Sequence, residues 1–195
     1  MLKRLYDWVI HWADTKYGVP AMAFVSFIES SFFPVPPDPL LLALSLGKPR
    51  KAIIYALICS VASIAGGVLG YLIGWTVWES VSELFFKYLF TQQTFDYVGI
   101  KYSENAFLAI LGAAFTPIPY KVFTISAGVF KINLAIFILA SAIGRSARFL
   151  IEGVLIYLYG ESIRNFIEKY LKWLSLLFFI LLVAGIYVIK FVLHK

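Results

Sequence analysis

Residues 52–78 are 27 consecutive positions without a formal charge. As an α-helix such a run is about 40 Å long, more than the roughly 30 Å hydrocarbon core of a bilayer. It predicts a full transmembrane helix with length left over for tilt. The rest of the chain agrees. Of its 195 residues, 61% are hydrophobic and only 14% charged, with a mean hydropathy of +0.84. A soluble domain runs nearer half apolar and about a quarter charged. An ordinary soluble enzyme, a disordered chain and a nucleic-acid-binding protein are therefore excluded. The net charge of +6 and pI of about 9.3 read instead as Lys and Arg gathered beside membrane spans.

Two further spans are expected. One covers residues 132–160 and carries Arg145, Arg148 and Glu152 within it. The other, residues 173–189, is shorter, with Trp173 and Tyr187 near its ends as interface anchors. Residues 2–13 set Leu2, Leu5, Tyr6, Val9, Trp12 and Ala13 on one helical face and charged or polar residues on the other. That pattern suits a helix in the membrane interface or one packed on the protein. The sequence starts with scattered charges rather than a basic stretch and an apolar core, so no cleavable signal peptide is expected. Cys59 lies in an apolar run and reads as a packing residue, and His11 and His194 build no ligand set, so neither a metal nor a cofactor is expected.

The stretch 19–46 cannot be one plain span. It holds Glu29 and then Phe-Phe-Pro-Val-Pro-Pro-Asp-Pro, in which Pro34, Pro36, Pro37 and Pro39 remove amide donors and push their neighbours out of the α region. Arms of about ten residues or fewer reach roughly 15 Å, half the hydrocarbon core. The simplest geometry is a re-entrant helical hairpin, tolerated at membrane depth only where protein or water surrounds it. The pattern recurs over 106–130, where Pro117 and Pro119 interrupt Phe-Thr-Pro-Ile-Pro-Tyr-Lys.

The recurrence is an internal repeat. At an offset of 83 residues, positions 23–73 match 106–156 without gaps at 12 of 51 places, among them Pro34 with Pro117, Pro36 with Pro119, Lys48 with Lys131 and Gly70 with Gly153. Each unit is a hairpin plus one true crossing. One crossing is odd, so the second unit enters from the opposite side and the repeat is inverted, a common build for secondary transporters. The expected organisation is one all-α membrane domain: an interfacial helix (1–18), repeat 1 (19–78), an interfacial connector of two helices (79–104), repeat 2 (105–160) and a C-terminal transmembrane helix (161–195). With the N-terminus inside, nine Lys and Arg face the cytoplasm and five face out.

Charges at membrane depth cost at least about 2.5–3.5 kcal/mol on insertion scales, so each needs a partner or a water path. Glu29, Asp38, Lys121, Arg145 and Arg148 are therefore the candidate site. The offset superposes Asp38 on Lys121, which predicts an ion pair between the two hairpins. Asp38 is also suited to cap the second arm of its own hairpin. Arg145 and Arg148, three apart, share a helix face and suit either Glu29 or a lipid phosphate. Glu152 is four residues beyond Arg148 and suits a pair with it.

Glu-Ser-Ser-Phe-Phe-Pro-Val-Pro-Pro-Asp (29–38) and Phe-Thr-Pro-Ile-Pro-Tyr-Lys-Val-Phe-Thr-Ile-Ser-Ala-Gly (115–128) resemble the signature of the DedA family, bacterial relatives of the VTT-domain (SNARE-associated) proteins. The wording is most similar to the YqaA-like branch, and the resemblance covers residues 20–160. It implies two re-entrant hairpins in an inverted repeat in the cytoplasmic membrane, and movement of lipids between leaflets linked to proton motive force. It puts the family's two essential acidic positions on Glu29 and Asp38. Many members carry two arginines where this chain has Ala114 and Tyr120. Lys121, Arg145 and Arg148 would supply positive charge instead.

The function expected is a proton-coupled transporter of a phospholipid or polyprenyl phosphate. Glu29 and Asp38 would exchange protons while Lys121, Arg145 and Arg148 bind phosphate. The alternative is a proton-coupled ion or small-solute transporter. An enzyme is not expected, because no nucleophile elbow or His-based phosphatase set is present. The partners implied are membrane lipids and protons, not nucleic acid, and a homo-oligomer is compatible with the sequence.

Overall fold

A computed structural model describes residues 15–33, 35–88, 92–115, 119–160 and 162. The N-terminal helix expected before residue 15, the C-terminal span expected after residue 162, and the hairpin residues Pro34 and Pro117 lie outside the described residues. Among those described, all regular structure is helical. In chain order the helices are α1 (Gly18–Ser31), α2 (Asp38–Gly47), α3 (Ala52–Tyr88), α4 (Gln92–Glu104), α5 (Ala106–Phe115), α6 (Tyr120–Val129) and α7 (Leu134–Gly160). A 3₁₀ turn at Pro49–Lys51 leads into α3.

The breaks fall where proline chemistry puts them. α1 ends at Ser31, and Pro37 stands as the N-cap of α2, with Pro39 in its first turn, where a missing amide costs nothing. Pro119 likewise stands as the N-cap of α6. α2, α5 and α6 are each 10 residues, about 15 Å, but α1 has 14 and reaches about 21 Å, longer than the arm expected. The connector also differs from expectation. Residues 79–88 continue α3 without interruption, so among the described residues α4 is the connector's one separate helix. No Gly or Pro lies between Gly74 and Gly99 to stop the first helix earlier.

Among the described residues, two helices, Pro49–Trp78 and Leu134–Gly160, are long and apolar enough to cross a membrane. They run antiparallel: Ala52 and Ala56 pack against Gly153, and Pro49 against Gly160. α1 runs parallel to α3, with Ser26 on Cys59 and Ser30 on Ser63. α6 also runs parallel to α3, with Thr124 beside Gly70 and Gly128 beside Tyr71. Small residues set these distances. A Cβ at Gly66 would overlap the Phe27 carbonyl, and one at Gly128 the Tyr71 carbonyl, so α1 and α6 lie backbone to backbone on α3.

Two main apolar clusters result. Met22, Leu41, Leu44, Tyr55 and Cys59 of the first hairpin and α3 take in Phe149 from α7. Ile110, Ala114, Tyr120, Ala127 and Phe137 of the second hairpin and α7 take in Tyr71 from α3. Each cluster thus joins one hairpin to the long helix that follows it and takes one aromatic ring from the other long helix, while α6 also lies on α3.

Candidate ion-pair site between the hairpin tips

The tips of both hairpins converge beside the middle of α3. Ser63 and Ile64 are the midpoint of Pro49–Trp78. Ser30 and Ser63 share a 2.7 Å hydrogen bond, and Ser31 Oγ donates to the Gly66 carbonyl at 2.8 Å. From the second hairpin, Thr124 Oγ1 donates to the Ser30 carbonyl at 3.1 Å, and Lys121 Nζ donates to the Phe33 carbonyl at 3.3 Å. The last carbonyls of a helix have no partner within it; Thr124 satisfies one of them, and Lys121 satisfies a carbonyl of the loop that follows α1.

Arg145 and Arg148 straddle the midpoint of α7 and reach across to the first hairpin. Arg145 donates to Glu29 at 2.9 Å, and its Nε donates to Ser63 Oγ at 2.5 Å. The Tyr120 and Phe149 rings lie 5.0 and 4.7 Å from its guanidinium carbon. Tyr120 is itself held by a 2.5 Å hydrogen bond to Ser141. The Arg145 and Glu29 side chains are 4% and 15% exposed. Hydrogen bonds and rings on several sides fix this guanidinium, which suits a group that orders the site.

Arg148 stands one helical turn away and is less enclosed. It donates to Asp38 at 2.5 Å, with side chains 25% and 27% exposed, and its Nε lies 4.0 Å from Glu152. One arginine here serves two carboxylates, the first much closer than the second.

The pair expected between Asp38 and Lys121 does not form. α2 lies along α7 rather than tip-to-tip with α6, so Arg148 reaches Asp38 first, and Lys121 turns to the Phe33 carbonyl. Nor does Asp38 cap its helix: it is the first helical residue of α2, and no side-chain capping bond is made there. Pro36 is exposed beside the site and Pro37 is buried.

The serines at the centre were missed by charge counting. Ser30, Ser63 and Thr124 are fully buried. Their signal lay in periodicity: Ser26 with Ser30, and Ser60 with Ser63, put hydroxyls on single faces of otherwise apolar helices. Among the described residues no group of three His, Cys, Asp or Glu side chains is set to hold a metal ion.

Two proteins are similar over most of the chain. An uncharacterized protein of Haemophilus influenzae is 32% identical over 186 residues, covering 95% of this chain and 96% of the relative. An uncharacterized protein of Histophilus somni is 33% identical over 147 residues, covering 75% of this chain and 76% of the relative. No family model and no solved structure matches the chain.

Proposed function

The chain belongs to the same family as these Haemophilus and Histophilus proteins, and we propose that it is a proton-coupled lipid transporter of the cytoplasmic membrane, moving a phospholipid or polyprenyl phosphate between leaflets. The observation that carries this reading is the arrangement of its two ion pairs. Glu29–Arg145 and Asp38–Arg148 each join the first hairpin to the middle of a helix long enough to span a bilayer.

On this reading both hairpins are re-entrant and the two units form an inverted repeat. The antiparallel long helices, the hairpin tips meeting at mid-helix and the exchange of Phe149 and Tyr71 between clusters support it. The acidic and proline-rich tip from Glu29 to Asp38 supports membership of the wider DedA family.

The coupling follows from charge. An Asp38–Arg148 pair is neutral overall. A phosphate monoanion that displaces Asp38 from Arg148 would leave one uncompensated negative charge in a low-dielectric site, which is costly. If the released carboxylate takes a proton, the site is neutral again. One proton therefore accompanies one anionic headgroup. Arg148, the more open guanidinium, binds the phosphate, while Lys121 stays on the Phe33 carbonyl and outside this charge balance. Arg145 keeps its bonds to Glu29 and Ser63 and holds the frame. Glu29 exchanges a proton only when that frame loosens.

A second reading, a proton-coupled ion or small-solute transporter, is favoured by the buried hydroxyls of Ser30, Ser63 and Thr124, since such groups also suit a small polar cargo. One experiment separates the two. The full chain is reconstituted into liposomes containing fluorescent phospholipid, and inter-leaflet movement is followed with and without a pH gradient. The lipid reading expects gradient-dependent movement that Asp38→Asn and Glu29→Gln reduce at least tenfold. Movement equal to that in protein-free liposomes rejects it, and proton flux driven by an added solute would favour the second reading.

A further inference from the structure

Beside the 3₁₀ turn that enters α3 lies a cavity of about 630 Å³, remote from the ion pairs. Lys48, Arg50 and Lys51 of that turn supply one wall, and Tyr157 and Tyr159 of α7 supply the other. Along the axis of α7, Tyr157 lies about 18 Å from Arg145 and about 14 Å from Arg148.

Packing fixes the shape of this cavity. Gly160 has no side chain, and a Cβ there would meet the Pro49 ring at 3.0 Å, so α7 rests directly on the 3₁₀ turn at Gly160. Beneath it, Leu46, Ala52 and Ile156 form a buried apolar cluster. The turn is thereby pinned with Arg50 and Lys51 exposed. Among the described residues lining the cavity there are three cations and no carboxylate.

Three cations and two tyrosines beside the start of an apolar helix long enough to span a bilayer match the chemistry and depth of lipid headgroups. Basic pockets between spanning helices bind anionic headgroups, and tyrosines settle at that level with their hydroxyls toward the polar side. Guanidinium and ammonium groups recognise phosphate oxygens, and tyrosine hydroxyls add neutral donors.

We propose that this cavity is a resident site for an anionic phosphodiester, separate from the transported substrate, that ties the turn entering α3 to the 157–160 stretch of α7. The proposal rests on the membrane placement of the two long helices and not on transport.

The test uses the full chain purified in detergent, with phosphatidylglycerol and phosphatidylcholine titrated separately and bound lipid counted by native mass spectrometry. Wild type is expected to retain phosphatidylglycerol in preference to phosphatidylcholine. The double variant Arg50→Gln/Lys51→Gln is expected to bind phosphatidylglycerol roughly 30-fold more weakly, about fivefold for each cation. The swap Arg50→Lys/Lys51→Arg keeps the charge and should bind within a few-fold of wild type, which controls for misfolding. The comparison is repeated in an Arg148→Ala background, where lipid held at the ion pairs would be lost; the loss caused by the Gln double variant should be the same there, so the outcome is independent of the transport reading. Equal affinity in wild type and the Gln double variant overturns the proposal. Displacement of the retained lipid by millimolar inorganic phosphate would assign the site to a free phosphate ester and overturn the lipid form of it, whereas retention supports the lipid.

Discussion

Arg145 and Glu29, 116 residues apart in the chain, meet in a 2.9 Å ion pair whose side chains are almost wholly enclosed. Ser63 lies beside them and bonds both Arg145 Nε and Ser30. Breaking such a pair from one side leaves the other charge uncompensated, which costs about 3–5 kcal/mol. Arg145→Ala should therefore lower unfolding stability in detergent by about that much. Glu29→Gln/Arg145→Gln should cost less than the sum of the two single changes, and a double-mutant cycle of unfolding midpoints checks this.

Arg148 and Asp38 form the more open pair, each side chain about one quarter exposed. A side chain one quarter exposed loses less when its partner is removed than an enclosed one, so Arg148→Ala should cost less stability than Arg145→Ala. Under the proposed function the same change should abolish lipid movement. Denaturation curves and liposome assays on one preparation would separate the effects, and a transport rate like that of wild type would remove Arg148 from the phosphate-binding role.

Ser63 offers a finer test. Its hydroxyl accepts from Arg145 and bridges to Ser30, whereas the Ser60 hydroxyl bonds only the Ala56 carbonyl within its own helix. A lost hydrogen bond to a buried charged group costs about 1.5–3 kcal/mol. Ser63→Ala should fall in that range, and Ser60→Ala should cost less, because its hydroxyl only bonds back to a carbonyl already used by its own helix. Thermal unfolding of the two variants side by side measures the difference.

Gly66 and Gly112 make a matched pair of backbone probes. A Cβ at Gly66 would overlap the Phe27 carbonyl, and a Cβ at Gly112 meets nothing within 4 Å. Gly66→Ala must push α1 away from α3 and should cost about 1–3 kcal/mol. Gly112→Ala should be neutral or gain about 0.5–1 kcal/mol from the better helix former. Unfolding midpoints of the two variants test whether the α1–α3 contact is as close as described.

Much of this arrangement was legible in the residues. Pro37, Pro39 and Pro119 lack amide hydrogens and stand at the starts of short helices whatever surrounds them. The uncharged run from Ala52 to Trp78 makes a long helix because nothing in it interrupts one. The spacing of Gly66, Gly70 and Gly74 marks a face for close packing by backbone geometry alone. These are local properties, carried by each residue and its neighbours.

Which acid meets which base was decided only in three dimensions. The repeat aligns Asp38 with Lys121, yet alignment says only that two residues hold equivalent places, not that they touch. α2 lies along α7, so Asp38 takes Arg148, and α1 lies on α3, so Ser30 and Ser63 meet beneath Glu29 and Arg145. The cavity at Lys48, Arg50 and Lys51 likewise exists because Gly160 of one helix rests on Pro49 of another. Side-chain chemistry and helix length belong to the sequence; the pairing of charges belongs to the packing, because it depends on which faces the tertiary fold brings within hydrogen-bonding distance.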